Sequence, residues 1–251
     1  MLLSYQALVL FDIDGTLTRR AGPHHREALA AGIRRVTGLA TTTDGIPVQG
    51  MLDPVILATM MRRAGARAAQ VRAAMPAVML AVEGYYLRLC PDLRDKHCPG
   101  VEPLLARLAR RNILLALVTG NLTRIGWRKL ERAGLRDYFR FGAFGEMAGT
   151  RAGLAKLAIR QARREKLIER DAPISLVGDA PADAIAALAN GIRAISVATG
   201  LTSAEELRRE RPHILLKDLR ELRLWMVETP LGADGNFTAE PQRRREEEQK
   251  G

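Results

Sequence analysis

Aromatic residues are scarce in this 251-residue chain, where Phe, Trp and Tyr together make up 4%. That leaves little with which to stack nucleic-acid bases. Cysteine is scarcer, with Cys90 and Cys98 alone. Their spacing fits no zinc pattern, and two thiols do not make a disulfide framework, so two reduced cysteines near a hinge are expected. No apolar run reaches the roughly 18 residues of a membrane-spanning helix, and no membrane partner is expected. Met1 to Leu10 has neither a basic n-region nor a small-residue cleavage site. Its apolar part serves better as a first strand, and a cytoplasmic location is the expectation. Lysine is rare too, with six against 33 arginines.

What is abundant is positive charge, a formal net of +11. Between Val101 and Arg170 there are 16 Lys and Arg against 6 Asp and Glu. Most of these cations fall on helical patterns whose opposite faces are Leu and Ala, as with Arg107, Arg110 and Arg111 or Arg160, Arg163 and Arg164. A solvated helical face accounts for that pattern, and a nucleic-acid partner is not expected. Hydrophobic residues at 47% and charged residues at 27% are ordinary for a globular chain of this length.

Four apolar runs, Ala7–Phe11, Ile113–Val118, Ile174–Val177 and Arg193–Val197, are each expected to form a parallel strand followed by a helical pattern. The helices after the last three are placed at Thr123–Ala133, Ala182–Ala189 and Ser203–Arg209, and a fourth at Ala152–Glu165. Shorter strands are placed near Phe141–Phe144 and His213–Leu216. This alternation predicts an α/β fold, a doubly wound parallel, Rossmann-like sheet whose ligand sits beyond the carboxyl ends of the strands. The interval from Arg19 to Cys98 carries three helical patterns and no convincing strand. They run from His25 to Val36, from Asp53-Pro54 to about Arg63 (Asp as N-cap, Pro in the first turn), and over Ala66–Leu89. An inserted all-helical cap domain is expected there, with hinges near Thr18–Gly22 and Asp95–Gly100. The domains are accordingly an α/β core of residues 1–18 and 99–228, a cap of residues 19–98, and a disordered or frayed charged tail of residues 229–251.

The first strand delivers two carboxylates into a glycine turn, Phe11-Asp12-Ile13-Asp14-Gly15-Thr16. Both acids face one loop-side cavity, where their repulsion has to be balanced by a cation. The second strand ends in Thr119-Gly120-Asn121, a hydroxyl, a glycine and an amide that offer donors to phosphate oxygens just before a helix. Gly178-Asp179-Ala180-Pro181-Ala182-Asp183 can place one carboxylate on a metal and another behind it, or simply cap a helix and answer its dipole. Arg151, a cation at a helix start against the dipole preference, points to an anionic partner nearby. His24 and His25 are expected to be surface residues near a hinge. Gly50 and Asp53, in Gly50-Met51-Leu52-Asp53, are candidates for a substrate-facing or helix-capping loop.

In this order the four loops resemble the haloacid dehalogenase superfamily of phosphohydrolases, over Ala7–Leu224. The placement of the helical insertion resembles the family's first cap type, as in phosphoglycolate phosphatases and β-phosphoglucomutases. The resemblance implies that Asp12 is the nucleophile and that Asp14 is the general acid and base. It implies Mg²⁺ held by Asp12, the Asp14 backbone carbonyl and Asp179, with Asp183 orienting the metal's ligands. Thr119, with Gly120 and Asn121, would hold the phosphoryl group. The family's third motif is usually a lysine, often followed by proline. Here Arg151 occupies that interval, and Lys156 is expected to point elsewhere. The function implied is a Mg²⁺-dependent phosphatase acting on a small phosphorylated metabolite through an aspartyl-phosphate. The alternatives are a phosphomutase resembling β-phosphoglucomutase and a catalytically silent binding member of the fold. A dehalogenase fits less well, because carbon–halogen cleavage has no use for the leaving-group proton that Asp14 would supply.

Overall fold

Ala7–Phe11 (β1) is buried at every position, and its side chains alternate between two apolar clusters. Ala7, Val9 and Phe11 join one, Leu8 and Leu10 the other, which is the pattern of a strand covered on both faces. The computed structural model describes residues 4–19 and 22–232. Around β1 lie Ile113–Val118 (β2), Phe141–Ala143 (β3), Ile174–Gly178 (β4), Arg193–Val197 (β5) and Ile214–Leu216 (β6). They form one six-stranded sheet in the order β3-β2-β1-β4-β5-β6, with every pair parallel.

The helices are His24–Thr37 (α1), Asp53–Arg63 (α2), Ala68–Leu89 (α3), Val101–Arg110 (α4), Thr123–Ala133 (α5), Arg151–Arg164 (α6), Pro181–Ala189 (α7), Ala204–Arg209 (α8) and Trp225–Glu228 (α9). Leu154, Ala155 and Ala158 of α6 and Ala184, Ala186 and Ala187 of α7 cover one face of the sheet. Leu104, Leu105 and Leu108 of α4 and Ile125 and Leu130 of α5 belong to the cluster on the other. The sheet is thus doubly wound, as expected, and the strand order reverses at β1 and β4. Ligand crevices of such sheets open at that reversal. Register brings the strand ends together there, with Phe11 opposite both Leu117 and Val177.

Of the helices between β1 and β2, α1, α2 and α3 pack on one another and on this second cluster, which runs from Val9, Phe11 and Leu117 through to Leu29, Ile33, Leu57 and Met60. The two chain crossings that tie them to the sheet run side by side. Thr18 pairs antiparallel with His97, the Arg19 amide donates to the Lys96 carbonyl at 2.6 Å, and the Cys98 amide donates to the Leu17 carbonyl at 3.0 Å. Cys90 and Cys98 are free thiols, and both are buried. Among the described residues no helix is long and apolar enough to cross a membrane.

Element boundaries differ from expectation by one or two residues, with one instructive exception. Asp53 is not the N-cap of α2. Leu52 holds that position without a side-chain bond, and Asp53 is the first helical residue. Its carboxylate is engaged elsewhere, as described below. Of the expected tail, residues 233–251 lie outside the described residues.

Candidate active site

The turn after β1 is closed by backbone bonds from Leu17 and Thr18 to the Ile13 carbonyl, at 2.9 and 3.0 Å, and from Gly15 to Thr18 at 2.7 Å. Gly15 has φ +86°, and a Cβ there would run into the carboxylate of Asp179. Glycine thus serves both the left-handed backbone and the approach of the acid from β4. Thr16 Oγ1 donates to Asp179 Oδ1 at 3.1 Å, tying the two loops together.

Asp12, Asp179 and Asp183 are all buried, and one oxygen from each lies within 4.8 Å of the others. Arg151, the first residue of α6, enters between them. Its Nη1 donates to Asp12 Oδ1 at 3.0 Å and to the Val118 carbonyl at 3.1 Å, and its Nε lies 3.4 Å from Asp183 Oδ1. The anionic partner that a cation at this helix start implied is therefore a pair of the protein's own carboxylates. Asp183 also caps α7, its Oδ2 accepting from the Ala180 amide at 3.1 Å. Capping and clustering are met by one side chain.

Three carboxylates face one guanidinium here, and the imbalance shows in their protonation. Burial, with the charges of Asp12 and Asp183, pushes Asp179 up to about 8. Burial pushes Asp183 up to about 7, with Arg151 opposing and Asp12 adding to the rise. Burial works against the charge of Arg151, but Asp12 and Asp183 outweigh it and hold the guanidinium protonated. A dense set of hard oxygen donors with surplus negative charge fits a hard divalent cation such as Mg²⁺.

At the end of β2, Thr119 is fully buried, and its hydroxyl accepts from Asn121 Nδ2 at 2.8 Å. The Gly120 carbonyl accepts from the Asp53 amide at 2.8 Å. The Asn121 side chain is turned toward Asp14, with Nδ2 donating to Oδ2 at 2.8 Å.

Asp14 has a cation of its own. Lys129 Nζ on α5 lies 2.7 and 2.6 Å from its two oxygens and 2.7 Å from Asn121 Oδ1. Burial alone would raise the Asp14 carboxyl, but the charge of Lys129, with the hydrogen bonds from Lys129 and Asn121, outweighs it and holds the group below the usual carboxylate range. His25 lies on α1 with Nδ1 3.3 Å from Lys129 Nζ and Nε2 3.1 Å from Asp53 Oδ2, its ring edge-on to Tyr86 at 5.6 Å. Both histidines are half-buried rather than on the surface, and His25 lines the site. Asp53 Oδ2 also accepts from the Leu122 amide at 2.9 Å, so this buried acid caps α5 in space instead of α2 in sequence.

Most of these groups open into one cavity of about 620 Å³ between the strand ends and α1–α2. Gly50 lines it too, with φ +68° in a turn that abuts Ala180 and Ala182. Asp12, Asp14, Thr119, Gly120, Asn121, Arg151, Asp179, Gly50 and Asp53 all line the cavity, and Asp183 stands behind them against Arg151. Lys156 is exposed on α6, away from it. Lys129 was not among the expected site residues. Its signal was a lysine at an apolar position of a helical stripe, between Ile125, Gly126, Leu130 and Ala133, in a chain that otherwise prefers arginine.

A family model described as haloacid dehalogenase-like hydrolase matches residues 7–191. Among curated proteins no relative matches. Solved structures of similar fold include CbbY from Rhodobacter sphaeroides in complex with phosphate, 20% identical over 89% of this chain and 99% of that one, with a TM-score of 0.68. Another is β-phosphoglucomutase from Clostridium difficile, 17% identical over 88% and 94%, with a TM-score of 0.65. A predicted phosphatase from Clostridium acetobutylicum is 21% identical over 87% and 96%, with a TM-score of 0.62.

Proposed function

The chain belongs to the haloacid dehalogenase-like hydrolase family, and from that premise we propose that it is a Mg²⁺-dependent phosphatase acting on a small phosphorylated metabolite through an aspartyl-phosphate. The observation that carries this reading is Asp12. It is presented at the reversal of the sheet, with Arg151 at 3.0 Å and two further acids grouped around it. An oxygen of Asp12 forms the bond to phosphorus while the bond from phosphorus to the leaving oxygen breaks, and Asp14 gives that oxygen a proton. In the second half a water oxygen forms the bond to phosphorus as the bond from phosphorus to Asp12 breaks, Asp14 takes a proton from that water, and phosphate leaves with Asp12 restored. Arg151 offsets the charge developing on the phosphoryl oxygens, as the family's lysine would, and Thr119 with the backbone of Gly120 and Asn121 borders them.

Asp12, the Asp14 carbonyl and Asp179 would hold Mg²⁺, with Asp183 orienting the set. When bound, the ion supplies further neutralisation of the phosphoryl charge. Residues 19–98 are the cap in this reading, residues 1–18 and 99–228 the core, and Gly50 and Asp53 mark the side from which the cap limits the substrate.

The test is phosphate release from a panel of small phosphomonoesters, in Mg²⁺ and in EDTA, by the wild type and Asp12→Asn. Metal-dependent release that disappears in the variant, with circular dichroism unchanged, is the expected outcome. Near-normal release by Asp12→Asn removes Asp12 from its role. Interconversion of hexose phosphates with little free phosphate would favour the mutase, which uses the same residues. A wild type inert toward every ester, with phosphate still bound, would favour a silent binder.

A further inference from the structure

Lys129 is 2% exposed, on the face of α5 that otherwise carries apolar and small residues inward. An ammonium buried in this way is costly unless its donors are met. Lys129 has three N–H bonds and three kinds of acceptor around it, namely the Asp14 carboxylate, Asn121 Oδ1 and, in the tautomer protonated on Nε2, His25 Nδ1. In that tautomer His25 Nε2 donates to Asp53 Oδ2. The Tyr86 ring of α3 lies under the ammonium at 5.7 Å.

Asp14 is held from two sides as a result, by Lys129 on both oxygens and by Asn121 Nδ2 on one. Its side chain is otherwise 42% exposed toward the cavity, so these bonds rather than packing determine where the carboxyl points. Lys129 in turn is held by groups from two regions, Asn121 from the loop after β2 and His25 from α1, backed by Asp53 of α2.

We propose that Lys129 is a positioning residue for Asp14, fixing its carboxyl against the leaving oxygen, and that His25 and Asp53 make this setting depend on α1 and α2 lying against the sheet. The proposal deepens the phosphatase reading and rests on it. The bonds from Lys129 and Asn121 are those of an ionised Asp14: it takes up a proton from solvent before the step and passes that proton to the leaving oxygen, and Lys129 neither gains nor loses one.

The test separates positioning from packing through the leaving group. An alkyl alkoxide needs the proton as it departs, whereas 4-nitrophenolate leaves without it. In Lys129→Met, kcat/KM for an alkyl phosphomonoester is expected to fall about 100-fold, while that for 4-nitrophenyl phosphate falls less than about 10-fold. Asp14→Asn, measured alongside, should show the same selectivity. Equal losses on the two esters overturn the proposal. If Lys129→Met does not fold, Lys129→Gln is measured by the same ratio. If the wild type hydrolyses neither ester, the phosphatase reading fails, and the crystal structure of the folded variant decides the positioning alone. A carboxyl still bonded to Asn121 Nδ2 in its original orientation overturns the proposal, and one turned away supports it.

Discussion

Each acid at the end of β1 has a cation of its own, Arg151 for Asp12 and Lys129 for Asp14. The two pairs are not equivalent. Arg151 serves two carboxylates and leaves Asp179 without a cation bonded to it, whereas Lys129 serves Asp14 alone among the acids. The pH dependence of stability follows from the first of these. Asp179 at about 8 and Asp183 at about 7 bind protons more tightly in the folded chain than a carboxyl does when unfolded. The contribution of these two groups to metal-free stability is therefore fullest below the ordinary carboxylate range and is lost as pH rises through about 7 and about 8. Urea midpoints in EDTA should fall between about pH 5 and about pH 9, and Mg²⁺ should flatten the slope by meeting the charge. A midpoint that climbs with pH in EDTA would show that these carboxyls are not strained by one another.

At this scale the sequence was legible where function is written into one loop. Asp12, Asp14, Thr119 and Asp179 each sit in a short motif at a strand end, so the chemistry shows without the fold. Lys129 and His25 do not. They become partners only because the fold brings His25 of α1 against Lys129 of α5, a relation that no spacing records. Asp53 was expected to cap α2 and instead caps α5, because local capping rules favour the helix an acid precedes over one far along the chain.

Among the elements, the strands were readable from continuous apolar runs, the mark of a sheet covered on both faces. Most helices were placed by their apolar stripes, α5 where its pattern put it, while α4 and α9 had no predicted bounds. What the pattern does not carry is how α1 and α3 lie on each other. Their contact is close at Gly32, where a Cβ would run into Val82. Gly32→Val should lower stability by about 1–3 kcal/mol in urea unfolding, because the neighbour that must give way includes backbone. A variant as stable as the wild type would mean that the two helices separate at little cost. The same separation would carry His25 away from Lys129, so phosphate release should fall alongside stability.

Across the whole molecule, the repeated strand–helix order predicted a doubly wound sheet with its site beyond the carboxyl ends of the strands, while the reversal at β1 and β4 is seen only in the folded strand order. The long helical interval predicted a separate layer, but only the folded chain shows that layer contributing His25 and Asp53 to the surroundings of Asp14. The way this layer is attached has a further consequence. Because Thr18 and His97 are hydrogen-bonding neighbours, the chain returns from the insertion to almost the point at which it left. In chain path the insertion is an excursion that leaves and rejoins the sheet at one place, so a short bridge can span its two ends. A shortened chain in which a brief glycine-serine bridge replaces residues 20–96 should keep the far-ultraviolet signature of a parallel α/β sheet, while exposing the apolar face that Leu29, Ile33 and Leu57 now cover. Loss of that signature would mean that the sheet and the insertion fold as one unit. Its survival would make this architecture a socket, into which helical segments of different shape can be exchanged without redesigning the catalytic strands.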